Sequence, residues 1–536
     1  MPAHARPSRG LSVYQDDSPE PARAGRFGRL FPQTQFELDD ELLEALGRSM
    51  SGEGAEEDTS LLDDDEDENR ERVNDELRLS SGYTYFGQFI DHDLTLDPVS
   101  SFEREFDAGA RIDFRTPRFD LDSVYGSGPD DQPYMYDASE EKLLEGVEGD
   151  VLRLGARAVL GDARNDENKL VVQLHRAFVR LHNRVVDFLR RDSGQRAAFG
   201  PAQVLVRKTY QWLIVNDFAP RILDAATWRI LRERCKPEND YPFPAPMLNL
   251  YEESFMPVEF SGAAYRFGHS MVRPSYHLND RITRLMDRGT QQRGKNRIPV
   301  FANEPPSLNG FAPLHSLGVA SPATLEWKYF FPFEDQQGVP LQVRGQDGTE
   351  REIVQPAYRI DTTLVGPLAD LTGPRVVKTG APSLAVRNLQ RGRRLRIPTG
   401  QEVAKVLGHE ILDAGRLLLA PPSNGSATES AAEVARERCE LLGKDSAAVL
   451  ARTTPLWYYL LAEAQTQAGG AHLGRLGSTL VGGVLLRLLL NDAESYLRKD
   501  PEFSPSRVFG VRLESLADLL AWVEPEHVGS KRPLQL

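Results

Sequence analysis

Between Ser81 and Pro98 the chain reads SGYTYFGQFIDHDLTLDP, an aromatic and aliphatic run with an amide, an imidazole and two acids set into it. The spacing predicts a helix over Tyr83–Leu94. On such a helix Gln88 and His92 are four residues apart and share one face, with Asp91 and Asp93 on either side of the histidine. Carboxylates carried into an apolar interior are costly unless they are paired or hold a metal. The plain alternative, a satisfied core histidine on an amphipathic helix, leaves both aspartates unexplained. Any fold for this chain has to supply partners for four polar groups on one buried helix.

The 536 residues, 40% hydrophobic and 27% charged, suit several average domains or one large, mostly helical domain with a deep core. A net charge of −15 opposes nucleic acid or an anionic membrane as partner, because phosphate recognition rests on basic patches. No apolar run approaches the ~18 residues of a membrane span. MPAHARPSRG lacks the apolar core of a signal peptide, so a cytoplasmic or leaderless-secreted chain is expected. With Cys235 and Cys439 alone there is no disulfide framework and no cysteine cluster for zinc or iron–sulfur. Residues 1–29 read as an N-terminal arm, 30–525 as one domain and 526–536 as a tail. Within the domain, 52–76 is an acidic, self-repelling loop. The Pro- and Gly-rich stretch from Arg284 to Pro374 predicts a small hairpin turning at Gln346-Asp347-Gly348.

Three further constellations carry polar groups in patterns. In TPRFDLDSVYGS, Thr116, Arg118, Asp120 and Asp122 recur at every second position, so in extended chain all four point one way, two of them hard carboxylates. The spacing is not that of an EF-hand, and an acidic turn in solvent is the alternative. In GDARNDENKLVVQLHRAFVRLHNRVVDFL, residues Leu170, Leu174, Phe178, Leu181, Val185 and Phe188 step by three and four, marking a long helix with one buried face. Asp162 predicts its N-cap, which places Arg164 and Glu167 on the first turn, as a site pair or as a solvated ion pair. His175 and His182 read as helix-packing residues. In AAYRFGHSMVRP, Arg266 and His269 fall one helical turn apart; GHSMV lacks the second glycine of a hydrolase elbow.

GQFIDHDL resembles the distal helix of the animal-type haem peroxidases, the peroxidase-cyclooxygenase superfamily, and TPLWYYLLAEA followed by LGRLG looks like its bacterial branch. Four stretches agree with the family in order, from about Leu30 to Asp500. The resemblance implies haem b, with His269 as iron ligand, Arg266 at a propionate, and His92, Arg164 and Gln88 as catalytic and halide-site residues. It implies ester links from the haem to Asp91 and Glu167. It implies Ca2+ held by Asp93, Thr116, the backbone oxygen of Arg118, Asp120 and Asp122; Asp122 replaces the hydroxyl residue usual in the family. A neutral imidazole on iron needs its other nitrogen held. LAVRNLQRGRRLRIP supplies Asn388 for this, with Arg391 three residues on, although the Asp-His pair that usually follows is here Arg394 and Leu395.

The expectation is therefore a mainly α protein, a single large helical haem peroxidase domain with minor β. It would reduce hydrogen peroxide and oxidise phenols, iodide or thiocyanate through a ferryl intermediate, as in oxidative stress response. A fatty-acid dioxygenase of the same superfamily and a non-catalytic haem- and calcium-binding scaffold are the alternatives.

Overall fold

The computed structural model describes residues 27–33, 38–50, 79–95, 117–192, 198–235, 244, 246, 255–280, 297–301, 307–310, 325–334, 341–344, 350–369, 371, 383–413, 416, 417, 440, 442 and 444–528. It is mainly α, as the sequence predicts, with four two-stranded ladders of two or three residues each. The predicted hairpin forms by pairing Gln342–Arg344 with Glu350–Glu352, antiparallel. Its turn, the acidic loop 52–76 and Thr116 lie outside the described residues.

At the centre runs the helix Gly82–Leu94, with ten of its thirteen residues buried. No side chain caps its start. Instead Ser81 N donates to Gln355 O and Gly82 N to Phe330 O, at 2.9 and 3.0 Å, which answers two of the orphan donors of a helix N-terminus. The approach requires glycine, since a Cβ at Gly82 would sit 2.3 Å from the Phe331 ring. Phe86 and Phe89 stack on Phe178 of the helix Lys169–Asp192, at 6.4 and 5.0 Å between ring centroids, and meet Tyr210 edge-on. Full burial of rings of this size is worth about 1.5–3 kcal/mol each, so this contact fixes the two helices against one another. Leu170, Leu174, Leu181 and Val185 bury the same face, as their spacing predicts.

A second hold on the central helix comes from a π-helical turn, Ile214–Phe218. It carries buried Asp217, whose carboxylate accepts from Tyr83 Oη at 2.8 Å, from Leu516 N at 2.8 Å and from Arg221 Nε at 2.8 Å. The helices Leu456–Ala468 and Arg475–Asn491 are apolar nearly all round and form core, as a helix of that pattern must. Buried Glu463 of the first accepts Leu476 N and Gly477 N at the start of the second, at 2.9 and 3.0 Å. The segment Phe27–Phe31 lies against Met256–Glu259: Phe27–Gly28 pairs in parallel with Met256–Pro257, and Glu259 accepts Leu30 N and Phe31 N. Packing continues at the other end to His527 and Val528, both buried.

Candidate functional site

His92 emerges from the central helix buried, and its Nδ1 lies 2.9 Å from Asn165 Oδ1. With the amide oxygen on that side, the bond requires the ring proton on Nδ1 and leaves Nε2 its lone pair. Burial, followed by the Arg164 cation, pushes the His92 pKa down to about 4, which leaves the ring neutral at ordinary pH. Asp91 and Gln88, on the same helix, are half-buried.

Arg164, Asn165 and Glu167 are delivered by a 3-10 turn, Ala163–Asp166, with Glu167 at its C-cap. This differs from the expected first turn of the long helix, which starts only at Lys169. Asp162 caps this 3-10 turn rather than the long helix predicted for it, accepting Arg164 N at 2.9 Å. The turn is clamped from outside: Arg153 grips Asp166 at 2.6 and 2.9 Å and Asp150 at 2.9 Å. Arg164 Nη2 donates to His92 O at 2.9 Å, to Thr95 O, and to Asp162 Oδ2 at 2.8 Å. Its cation thus caps the C-terminal carbonyls of the central helix, where positive charge is favourable.

His269 and Arg266 lie on a second 3-10 helix, Ala264–His269, where residues three apart eclipse. Asn388, on the helix Leu384–Arg394, places its side-chain nitrogen 2.7 Å from His269 Nδ1. The partner is the predicted one, but the amide is turned so that Nδ2 faces the ring. A half-turn of the carboxamide leaves its shape unchanged and presents Oδ1 instead, the end needed if Nε2 is to bind a metal. Burial, then the Arg266 and Arg391 cations, push the His269 pKa down to about 3. Trp457 meets His269 edge-on and donates Nε1 to Arg266 O at 3.1 Å. Arg266 Nε donates to Ser261 O, and Asp91 and Arg164 both act on its charge. The Arg266 that neighbours His269 therefore lies close enough to the His92 helix and its Arg164 turn to feel both charges.

These residues fit a haem. Arg266, Gly268 and His269 keep accessible surface while Tyr265, Phe267 and Ser270 around them are buried. The His269 ring is nonetheless desolvated. A Cβ at Gly268 or at Gly392, one residue after Arg391, would meet nothing within 4 Å. Two neutral imidazoles, two half-buried carboxyl residues (Asp91, Glu167) and the guanidinium groups of Arg164 and Arg266 make a donor set that suits an iron porphyrin with acidic propionates.

Beside His92, the ligand atoms of Asp93, Asp120 and Asp122 lie within 4.8 Å of one another. Leu121, between the last two, sits at φ 57°, a conformation costly for a branched residue. That twist lets Leu121 N donate to Asp93 Oδ2 at 3.2 Å, and Ser123 Oγ donates to Oδ1 at 3.3 Å. Arg118 pairs at 3.7 Å with Asp492. Hard oxygens gathered this closely suit Ca2+.

Sequence reasoning missed Asn165, Trp457 and His175. Asn165 Nδ2 lies 3.1 Å from His175 Nδ1, so His175 belongs to the site rather than to packing alone. His182 is the satisfied core histidine expected, held by Tyr125 Oη and Glu141 O.

Residues 110–299 match the family described as animal haem peroxidase. The chain is 27% identical over 207 residues to Heme peroxidase 2 of Caenorhabditis elegans, covering 36% of this chain and 26% of that protein. It is 32% identical over 132 residues to a peroxidase-like protein of Margaritifera margaritifera, covering 23% and 15%. The matched stretches thus span about a quarter or less of those relatives. Among solved structures, Peroxidase A from Dictyostelium discoideum superposes with a TM-score of 0.59 at 14% identity, covering 99% of both chains. The fatty acid alpha-dioxygenase of Arabidopsis thaliana does so at 0.56 and 14%, covering 94% and 78%. At such identities the likeness is one of fold.

Proposed function

We propose that this chain, which matches the animal haem peroxidase family over residues 110–299, is a working peroxidase that reduces hydrogen peroxide and oxidises small donors such as phenols, iodide or thiocyanate. The observation that carries this reading is the pair of neutral histidines, His92 and His269, each with Nδ1 held by an asparagine. His269 would hold the iron through Nε2, with Arg266 at a propionate, Arg391 beside it, and Asp91 and Glu167 as the carboxyls that form esters. When bound, the haem supplies the redox chemistry that splits the O–O bond and holds two oxidising equivalents.

The rest falls to this chain's side chains. His92 Nε2 takes a proton from hydrogen peroxide and returns it to the oxygen that leaves as water, general acid–base help worth about 10²–10⁴. Arg164 stabilises the negative charge that develops on that oxygen. Gln88, four residues before His92 on the same face, is placed to orient a small anion. Asp93, Asp120 and Asp122, with Thr116 and the Arg118 carbonyl, would hold Ca2+ directly behind His92 and so fix its helix. Among the described residues no helix is long and apolar enough to cross a membrane.

The reading is tested by the absorption spectrum of the protein titrated with haem, before and after peroxide. A Soret band that shifts on adding one equivalent of peroxide supports it, and no Soret band with haem in excess removes it.

A further inference from the structure

Asn165 does not touch one histidine but two. Its Oδ1 is 2.9 Å from His92 Nδ1 and its Nδ2 is 3.1 Å from Nδ1 of His175, on the neighbouring helix. All three side chains are buried, at 5%, 0% and 1% exposure, so no water competes for these bonds. A carboxamide is nearly symmetric in shape but opposite in function at its two ends. With Oδ1 toward His92, Nδ1 is protonated and Nε2 is a proton acceptor. With the amide turned round, Nδ2 would donate to Nδ1, and the proton would move to Nε2, where it blocks base catalysis. The Asn165 backbone lies in the 3-10 turn clamped by Arg153, so the side chain can rotate but the turn cannot drift. What decides its orientation is the partner at its far end.

We propose that His175, acting through the Asn165 carboxamide, sets the tautomer of His92 and so makes Nε2 the proton acceptor. The lone pair of His175 Nδ1 accepts from Asn165 Nδ2, which directs Oδ1 to His92. His175 and Asn165 are positioning residues; neither reaches the reacting atoms. The inference rests on the peroxidase reading for its consequence in the reaction, but the tautomer itself is a property of the protein alone.

Two measurements separate the two. The full-length chain, labelled with ¹⁵N at histidine, reports by NMR which ring nitrogen of His92 is protonated, with or without haem. Wild type is expected to show Nδ1 protonated; Asn165→Leu and His175→Phe are expected to lose that single state. Asn165→Asp, whose oxygens only accept, should retain it. In haem-loaded protein, the bimolecular rate with peroxide should fall about 10–100-fold in Asn165→Leu and His175→Phe, the scale on which partners orienting a working histidine act. It should stay within a few-fold of wild type in Asn165→Asp, while the Soret band stays unchanged in all. If wild-type His92 carries its proton on Nε2, or if His175→Phe keeps both the wild-type tautomer and rate, the inference is overturned. A wild type with the stated tautomer but no reaction with peroxide would instead remove the peroxidase reading. Should His175→Phe fail to fold, the contrast between Asn165→Asp and Asn165→Leu decides whether the acceptor oxygen sets the tautomer.

Discussion

Trp457 Nε1 donates to Arg266 O at 3.1 Å, and its ring meets His269 edge-on. A buried helix of the C-terminal region thus fixes the short 3-10 helix that carries the proposed iron ligand. The His92 ring is held instead through Asn165. The two histidines should therefore fail differently. His269→Ala is expected to strip or misligate haem, seen as loss of the Soret band. His92→Ala should keep haem but slow the peroxide reaction by about 10²–10⁴. Equal loss of haem in both variants would reverse the assignment of sides.

Asp91 and Glu167 are both half-buried, one on the central helix and one capping the Arg164 turn. Acid–acetone extraction after treatment with peroxide is expected to leave haem on the wild-type chain. Asp91→Asn with Glu167→Gln should release it fully. Clean extraction from the peroxide-treated wild type refutes the ester assignment.

Asp93 is next to His92 and converges with Asp120 and Asp122. Three carboxylates so close repel one another unless a cation joins them. Prolonged chelation, or Asp120→Ala, is expected to lower thermal stability and haem retention together, because a metal held there fixes the catalytic helix. Metal analysis of active protein that finds no calcium removes this claim.

The residues legible in the sequence were those whose partners lie along the same helix or whose pattern repeats. Gln88, Asp91 and His92 share a helix, and Leu170 to Val185 share a face. Asn165 could not be found that way. It points at His92 because the stretch after Asp162 is a 3-10 turn rather than an α-helix, and local sequence does not separate the two. Its bond to His175 and the reach of Trp457 to Arg266 join distant segments, so no spacing announces them. Leu121 is a similar case: a leucine gives no hint of a positive φ, and tertiary contacts impose it.

His182 permits a test of pH and stability away from the proposed metals. Buried between Tyr125 Oη and Glu141 O, its pKa is pushed down to about 4, first by burial. A folded-state pKa below the unfolded one means the unfolded chain binds more protons between about pH 4 and 6.5. Stability from this group is complete above pH 6.5 and is lost as pH falls toward 4. At pH 5 the loss is about 2 kcal/mol. His182→Gln is expected to be less stable than wild type at pH 7, yet to lose less on going to pH 5, read from urea midpoints. Parallel loss in both proteins would contradict the assignment.

The last prediction separates peroxidase from fatty-acid dioxygenase. The dioxygenase chemistry expected from the superfamily needs a tyrosine eclipsing the iron-binding histidine, and here that place is held by Arg266. A 3-10 helix advances about 120° per residue, so Tyr265 stands about a third of a turn from His269. Its ring stacks on Phe260 at 4.7 Å, its hydroxyl is buried with no hydrogen-bond partner among the described residues, and burial together with the Asp91 charge raises its pKa. A buried phenol held against Phe260 in this way reads as core packing. Peroxide-dependent oxidation of phenols, iodide or thiocyanate is expected, with negligible oxygen uptake on linoleate, and Tyr265→Phe should leave the phenol rate within about two-fold, as removing a group outside the reaction does. An oxygen electrode decides it. Rapid, stoichiometric uptake with fatty acid, abolished by Tyr265→Phe, would overturn the peroxidase assignment while leaving the haem site of His269 and Asn388 intact.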